Sequence, residues 1–353
     1  MDSVGAPVTF RRSGTGTPEG MPTSGPLVDS YGRVHTDIRF SITDRCNLRC
    51  VYCLPDENVV FLPREEILSF EEIARVARVA RSLGVVTARV TGGEPLIRKG
   101  VVGLVRQLAD VGFDDLAMTT NGTGLQQLAQ PLADAGLKRV NVSCDSLRER
   151  RYAEIRRRGH LGNVFQAMLA AESAGLSPLK INVVLVAGVN DDEILDFARH
   201  ARETGRTVRF IEFMPLDATG LWSRGSVVSS ETVLERINDA FPLVPLDPDR
   251  SGHEPADSFR FADGAPGGIG VIASVTRAFC GACNRLRLTA DGAIRNCLFS
   301  DDETPVRDAL RSGASDEHVA MVIRRCIWGK HPGHGINDPG FLKPVRSMSM
   351  IGG

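Results

Sequence analysis

Six of the eight cysteines in this 353-residue chain fall into two tight groups of three. The first is Cys46, Cys50 and Cys53, in the run Ser41-Ile42-Thr43-Asp44-Arg45-Cys46-Asn47-Leu48-Arg49-Cys50-Val51-Tyr52-Cys53. The second is Cys280 and Cys283, joined by Cys297 fourteen residues further on. Cysteines two residues apart usually hold a metal or a cluster in a reducing compartment, and a chain of this length does not need disulfide staples. Three thiolates on one loop can hold three irons of a [4Fe–4S] cube and leave the last iron without a protein ligand. The alternative is a structural zinc loop, which wants four ligands at shorter, paired spacings. For the second group that extra ligand would have to be His318 or Cys326, neither at a convincing spacing, so a second [4Fe–4S] cluster with one open iron is expected there. Cys144 and Cys326 are left over and read as small buried hydrophobes.

An iron without a protein ligand has a chemical use. The amino and carboxylate groups of S-adenosylmethionine can chelate it, and an electron from the cluster can then cleave the sulfonium to give a 5′-deoxyadenosyl radical. Downstream, Val90-Thr91-Gly92-Gly93-Glu94-Pro95 ends a strand-like run, the place where parallel α/β folds bind ligands. Its two glycines are expected to let the backbone approach the methionine amino group, with Glu94 adding polar fixing. Thr119-Thr120-Asn121, Asn141-Val142-Ser143 and Ile211-Glu212-Phe213-Met214 end further strand-like runs on polar residues. Beside the second group, Arg285 and Arg287 alternate along a short strand and so share one face, and forked guanidinium donors suit phosphate oxygens.

These residues need a frame. Strands are expected at 37–42, 86–90, 115–119, 138–143, 179–186 and 207–212, with helical segments between them. One of these has Ile73, Val76, Ala77, Ala80 and Leu83 at helical spacing behind a Ser69/Glu72 capping box. Six strand–helix repeats imply an α/β fold with a parallel sheet and right-handed crossovers. Because eight units close a full barrel, we expect an incomplete (βα)6 TIM-type barrel, with a doubly wound open sheet as the alternative. After Pro215 the rhythm changes to a helix at 230–239 and short strands at 258–261, 269–273 and 285–289, an antiparallel-leaning extension that holds the second cysteine group. The expected organisation is a disordered tail (1–32), the barrel (33–215), a C-terminal domain with the second cluster (216–330) and a tail (331–353) ending in Gly352-Gly353.

Composition narrows the partners. Hydrophobic residues make up 42% of the chain and charged residues 24%, within the soluble globular range. The formal net charge of −1 steers it to neither nucleic acid nor an acidic membrane, and no run nears the roughly 20 apolar residues of a membrane span. The first 30 residues lack an apolar h-region, so a secretory signal is not expected. Arg11 and Arg12 faintly suggest a transit peptide, whose amphipathic pattern Asp2, Glu19 and the many glycines and prolines spoil. The expected location is the cytosol.

The early CxxxCxxC with Tyr52 before its last cysteine, and the Gly-Gly-Glu-Pro some 40 residues later, resemble the radical S-adenosylmethionine superfamily. Adding Arg-Phe-Ile-Glu-Phe-Met, the late CxxC-x13-C and the terminal Met-Ser-Met-Ile-Gly-Gly, residues 33 to 353 resemble the molybdenum cofactor biosynthesis protein A family, the GTP 3′,8-cyclases. The resemblance implies two [4Fe–4S] clusters on Cys46/Cys50/Cys53 and Cys280/Cys283/Cys297, with guanine reaching the open iron of the second. It implies that the antiparallel C-terminal extension closes the open side of the barrel. It implies S-adenosylmethionine against Tyr52, Gly93, Ser143 and Met214. It implies GTP against Arg39, Arg89, Thr119, Lys180, Arg285, Leu286 and Arg287, with Arg209 a further arginine of the site. The last two residues, Gly352 and Gly353, would reach into the cavity and assist. The implied reaction removes hydrogen from C3′ of GTP and joins C3′ to C8, giving (8S)-3′,8-cyclo-7,8-dihydroguanosine 5′-triphosphate, a lyase-class first step of molybdenum cofactor biosynthesis. Implied partners are a flavodoxin- or ferredoxin-like one-electron donor and a downstream cyclic pyranopterin monophosphate synthase; a homodimer is compatible with it.

The chain departs from that pattern at Thr87, where relatives often carry a basic residue, and at Cys144, where a Leu is usual. Two rivals have specific discriminators. A peptide-modifying radical enzyme would carry more late cysteines, and the arginines beside Cys283 favour a nucleotide. A non-catalytic cluster or zinc protein would have no need of the Gly-Gly-Glu-Pro element.

Overall fold

The computed structural model describes residues 16–216, 220–247, 253–346 and 348–352. Twelve strands form one sheet: β1 (Asp37–Ser41), β2 (Thr87–Thr91), β3 (Asp115–Thr120), β4 (Arg139–Ser143), β5 (Lys180–Leu185), β6 (Thr207–Glu212), β7 (Leu243–Pro245), β8 (Asp257–Phe261), β9 (Gly268–Ile272), β10 (Arg285–Leu288), β11 (Ala293–Arg295) and β12 (Glu303–Pro305). The described helices are α1 (Phe70–Ser82), α2 (Val101–Asp110), α3 (Leu125–Asp134), α4 (Glu149–Arg156), α5 (Leu161–Ser173), α6 (Ile194–Thr204), α7 (Ser230–Ala240), α8 (Arg307–Arg311), α9 (Asp316–Trp328) and the single turn α10 (Met348–Ile351).

The first six strands lie within a residue or two of their expected places and alternate with helices. The capping box on α1 is formed: Glu72 N–H donates to Ser69 Oγ at 3.1 Å and Ser69 N–H to Glu72 Oε2 at 2.7 Å. The apolar stripe behind it, Ile73, Val76, Ala77 and Ala80, is buried against the sheet in the main core.

Sheet order is β12-β11-β10-β1-β2-β3-β4-β5-β6-β9-β8-β7. The six N-terminal strands follow one another without reversal. That is the one-directional winding of βα barrels; the doubly wound alternative reverses strand order at a switch point. The sheet is nevertheless open, with β7 and β12 at its edges. The expected antiparallel extension is corrected in two respects. It divides between both edges, and its inner strands β9 and β10 pair parallel with β6 and β1. Antiparallel pairing begins only beyond them, at β8, β7, β11 and β12. Each inner strand is far along the chain from its parallel neighbour, as parallel pairing requires, although β9 itself follows β8 through a short turn.

The expectation of a disordered segment at 1–32 does not describe residues 16–32. Leu27 is wholly buried, its N–H donates to the Leu83 carbonyl at 3.2 Å, and Val28 bridges to Val34. Arg324 of α9 donates to the Pro26 carbonyl at 3.1 Å and also to Gly25. Residues 1–15 lie outside the described residues. No described helix is long and apolar enough to cross a membrane.

One carboxylate joins the two regions. Glu212, at the carboxyl end of β6, accepts from Ser230 N (2.9 Å) at the start of α7, and from Val275 N (2.7 Å), Thr276 N (2.8 Å) and Thr276 Oγ1 (2.5 Å) after β9. A glutamine would turn an N–H₂ toward those donors. Hydrogen bonds to a charged acceptor are worth about 1.5–3 kcal/mol each, so Glu212→Gln should lower unfolding free energy by about 2 kcal/mol or more in a denaturant titration. An unchanged midpoint would show that the carboxylate is not the joint.

Candidate active site

Polar side chains from all six N-terminal strands converge on one cavity of about 310 Å³, reached also by the loops around Cys280 and Cys297. Strand register explains the convergence. In β1–β2–β10 pairing, Arg39 stands beside both Arg89 and Arg287. Thr119 pairs with Asn141 and Asn141 with Lys180, and Asn182 pairs with Arg209. Period-2 alternation points these residues to one face. Like charges on adjacent strands are destabilising, so a row of three arginines in register serves something other than the sheet.

The cavity wall carries seven cationic side chains (Arg39, Arg89, Arg139, Lys180, Arg209, Arg285 and Arg287) against three carboxylates (Asp37, Asp115 and Glu254). Arg139 is spoken for by Asp115, and Arg209 donates to Asn182 Oδ1 at 3.0 and 2.7 Å. Among the described residues the buried Nε atoms of Arg39, Arg89 and Arg285 and Oδ1 of Asn141 have no hydrogen-bond partner. Burial, with the neighbouring guanidiniums adding to it, pulls Arg39 down to about 9, and burial brings Arg89 and Arg209 to about 10. Arg287 and Lys180 are lowered for the same reasons. An arrangement of this kind binds a polyanion with forked, charge-assisted hydrogen bonds.

Of the residues expected to face GTP, Arg39, Arg89, Thr119, Lys180, Arg209, Arg285 and Arg287 all line this cavity. Leu286 does not; its side chain is fully buried in the main core, on the opposite face of β10, so only its backbone is available to a ligand. Thr87 does line the cavity. The sequence reading noted Asn141 only as part of a polar strand end and missed Arg139 and Asn182, although alternation along β4 from Ser143 and along β5 from Lys180 would have found them.

The second cysteine group opens onto this cavity through Cys280, Cys283 and Cys297. The Cys280–Ala282 turn closes with Cys283 N–H on the Cys280 carbonyl at 3.1 Å. Cys283 Sγ accepts from Arg285 Nη2 at 3.4 Å and Lys330 Nζ at 3.3 Å. Burial alone would raise this thiol, but the charges of Arg285 and Lys330 bring it down to about 6. The His334 backbone N–H donates to Cys280, which burial raises.

The first group lies on the loop after β1 and does not line the cavity. Leu48 N–H reaches Cys46 Sγ at 3.5 Å, Arg156 Nη1 reaches Cys50 Sγ at 3.3 Å, and the Ser349 backbone N–H reaches Cys53. Burial raises all three thiols, Cys46 to about 11, and the charges of Cys46 and Cys50 raise Cys53 further. Within each group the thiols are in electrostatic reach of one another, and N–H donors reach Cys46, Cys50 and Cys53 in the early group and Cys280 and Cys283 in the late one. Among the described residues no three Cys, His, Asp or Glu converge tightly enough for a single metal ion. The thiols around a cube each meet a different iron and are correspondingly spread. Cys144 and Cys326 are core thiols, raised to about 12 by burial, that donate to the Ser146 and Ile294 carbonyls.

The Gly-Gly-Glu-Pro element packs on the cysteine loop. A Cβ on Gly93 would stand 2.2 Å from the Arg45 carbonyl oxygen, and Gly93 N–H donates to the Thr43 carbonyl at 2.7 Å. The close approach that glycine permits is therefore to this loop, which it holds against β2. Glu94 is buried and accepts from Leu96 N, Thr120 Oγ1 and Asn121 N at 3.0, 2.7 and 2.6 Å; burial nonetheless lifts it to about 7. Tyr52 donates to Asp145 Oδ2 at 2.6 Å and stacks edge-on against Phe213. Ser143 ends β4, and Met214 lines the cavity.

The C-terminal turn α10 bridges the two cysteine groups. Ser349 touches Cys53, Met348 lines the cavity, and the Gly352 carbonyl accepts from Arg287. Gly352 has φ +72°, and a Cβ there would meet Thr91 Cγ2 at 2.7 Å and Ser41 Cβ at 3.0 Å, so a side chain would not fit. Gly353 lies outside the described residues.

Comparison with known proteins follows the same division. The Radical SAM superfamily matches residues 40–201 and Molybdenum Cofactor Synthesis C matches residues 206–336. A GTP 3′,8-cyclase of Rhodopirellula baltica is 46% identical over 341 residues, covering 96% of this chain and 95% of the relative. One from Streptomyces coelicolor is 47% identical over 329 residues, covering 93% and 96%. Among solved structures, Streptococcus suis SuiB bound to precursor peptide SuiA has TM-score 0.58 at 13% identity, over 86% of this chain and 67% of that one. Native anSMEcpe with bound AdoMet has TM-score 0.52 at 14% identity, over 87% and 92%. These structures bear on the fold alone, an α/β architecture shared with this chain. With near-full-length relatives at this identity, the chain belongs to the GTP 3′,8-cyclase family of radical SAM proteins.

Proposed function

We propose that this enzyme converts GTP to (8S)-3′,8-cyclo-7,8-dihydroguanosine 5′-triphosphate, with Cys46, Cys50 and Cys53 holding a [4Fe–4S] cluster that binds S-adenosylmethionine and Cys280, Cys283 and Cys297 holding a second. In this reading residues 33–215 act as an incomplete (βα)6 barrel, 216–330 as the region carrying the second cluster across its open side, and 331–353 as a tail completing the cavity. The single observation that carries it is the in-register row Arg287–Arg39–Arg89, in which Nε of Arg39 and of Arg89 finds no hydrogen-bond partner among the described residues, in a cavity whose wall includes the late cysteines. A peptide substrate gives no reason for that charge.

When bound, the early cluster and S-adenosylmethionine supply a 5′-deoxyadenosyl radical as hydrogen acceptor. The chain's own work is orientation. The arginine row and Lys180 take the triphosphate, Thr119 and the Leu286 backbone lie along the nucleoside, and guanine points to the late cysteines. Ribose C3′ is then directed toward the side of the early cysteines, where Tyr52, Gly93, Ser143 and Met214 surround the methionine cofactor. Gly352 and the Met348 side chain narrow the space between and exclude water. An electron donor of flavodoxin or ferredoxin type and a downstream cyclic pyranopterin monophosphate synthase complete the reading, in the cytosol.

Anaerobic incubation with GTP, S-adenosylmethionine and a reductant should yield 5′-deoxyadenosine and the cyclised triphosphate by mass spectrometry. 5′-Deoxyadenosine without any guanosine product would leave a radical enzyme with another substrate.

Cys46→Ala, Cys50→Ala and Cys53→Ala should each abolish 5′-deoxyadenosine formation. Cys280→Ala, Cys283→Ala and Cys297→Ala should each lose about four irons, retain some cleavage of S-adenosylmethionine and make no cyclised nucleotide. Native iron content with full cyclisation in the second set would remove the late group from the site. Arg285→Ala should weaken GTP binding by about 1.5–3 kcal/mol and guanosine binding by less, measured by calorimetry. Equal losses for the two ligands would put Arg285 away from the triphosphate.

Deleting Gly352 and Gly353 should leave iron content intact and slow cyclisation at least about tenfold, or about 1.4 kcal/mol in the barrier, with partial rescue by a peptide of the same sequence. Full-rate turnover by the truncated chain would make the tail a bystander.

A further inference from the structure

Beneath the second cysteine group lies a buried polar cluster that the proposed chemistry leaves unused. Lys330, just past α9, is almost wholly buried. Its Nζ is 3.3 Å from Cys283 Sγ, 3.3 Å from the Cys283 carbonyl, 3.0 Å from the Arg285 carbonyl and 3.0 Å from His35 Nε2. The His35 Nδ1 lies 3.0 Å from the Arg33 carbonyl, which can only accept, so Nδ1 carries the proton and Nε2 presents a lone pair. Burial first, then the Lys330 charge, keeps this imidazole neutral, lowering it to about 3. Every neighbour of Nζ is therefore an acceptor. A neutral amine would turn its own lone pair on one of them, whereas an ammonium has three hydrogens and none. Burial works against the charge, and the Cys283 thiolate works for it.

The N-terminal arm builds the rest of this cluster. Arg33 donates to the carbonyls of Cys280 (2.8 Å), Pro332 (3.0 Å) and His331 (2.7 Å). Asp29, the carboxylate nearest His35, is already engaged by Arg33 Nε at 2.6 Å. Among the described residues no carboxylate pairs with Lys330 in this way. The early group differs, since the cation on Cys50, Arg156, has Nη2 2.8 Å from Asp145.

We infer that Lys330 is a positioning residue for the second cluster: its ammonium, fixed by His35 and the two carbonyls, donates to the Cys283 ligand sulfur and raises the cluster's reduction potential. The inference rests on the reading of Cys280, Cys283 and Cys297 as cluster ligands. Hydrogen bonds to ligand sulfurs and nearby charge are among the determinants of such potentials. The role belongs to charge, because the side chain touches neither the cavity nor a substrate.

The test is a redox titration read by electron paramagnetic resonance, in the full chain with Cys46, Cys50 and Cys53 replaced by Ala so that one cluster remains. Lys330→Met should keep its iron and shift the one-electron reduction equilibrium at least tenfold toward the oxidised state, about 59 mV lower in potential. Lys330→Arg should stay within about twofold of the native equilibrium. Full iron with an unshifted potential in Lys330→Met overturns the inference. If Lys330→Met and Lys330→Gln both lose the cluster, retention by Lys330→Arg supports a requirement for charge, and loss by all three overturns it in favour of shape. An iron-free triple-alanine parent would instead remove the reading of the late cysteines on which the inference stands.

Discussion

The structure is organised around positive charge buried where a sheet would ordinarily avoid it. Arg287, Arg39 and Arg89 stand side by side on adjacent strands, and burial and mutual repulsion pull their pKa values down. Adjacent like charges on a ladder weaken it, and buried guanidinium nitrogens without partners are costly. The strain is carried because the surrounding strands are otherwise packed by fully buried apolar residues such as Ile38, Phe40, Val90 and Leu288 on the other face. A polyanion of nucleotide size relieves it, and the rest of the molecule fits that requirement.

Two loops answer to the same geometry. Parallel pairing places the carboxyl ends of β1 to β6 on one side, where the early cysteine loop follows β1, while the late group sits at the opposite, amino end of β10 beside the start of β1. Gly93 lets the early loop lie against β2, and the parallel pairing of β10 with β1 carries Arg285 and Arg287 from the late loop into the arginine row. Arg287 also holds the Gly352 carbonyl, so the C-terminal turn is anchored by the residue expected to meet the triphosphate. In the proposed reading, nucleotide binding and tail placement are thereby coupled through one guanidinium.

Much of this was legible from local pattern. The six parallel strands, α1 with its capping box, the two cysteine groups and the alternating arginines follow from periodicity and spacing, which are short-range properties. The same alternation that paired Arg285 with Arg287 should have sent the Leu286 side chain into the core, where it lies. What was not legible depends on partners distant in sequence. The three-residue strands β7, β11 and β12 are too short to show a period. The parallel placement of β9 and β10 is decided by the neighbours β6 and β1. Residues 16–32 look polar and glycine-rich, yet buried Leu27 and Met21, with backbone and Arg324 bonds, seat the arm, and Arg33 then reaches the Cys280 carbonyl and His35 reaches Lys330.

The central claim is that the arginine row orients GTP so that ribose C3′ faces the early cysteines. GTP carrying deuterium at C3′ tests it directly, by mass spectrometry of the 5′-deoxyadenosine formed in a single anaerobic turnover. The account predicts deuterium in 5′-deoxyadenosine in proportion to the cyclised triphosphate. 5′-Deoxyadenosine that forms at the same rate but carries no deuterium would contradict it.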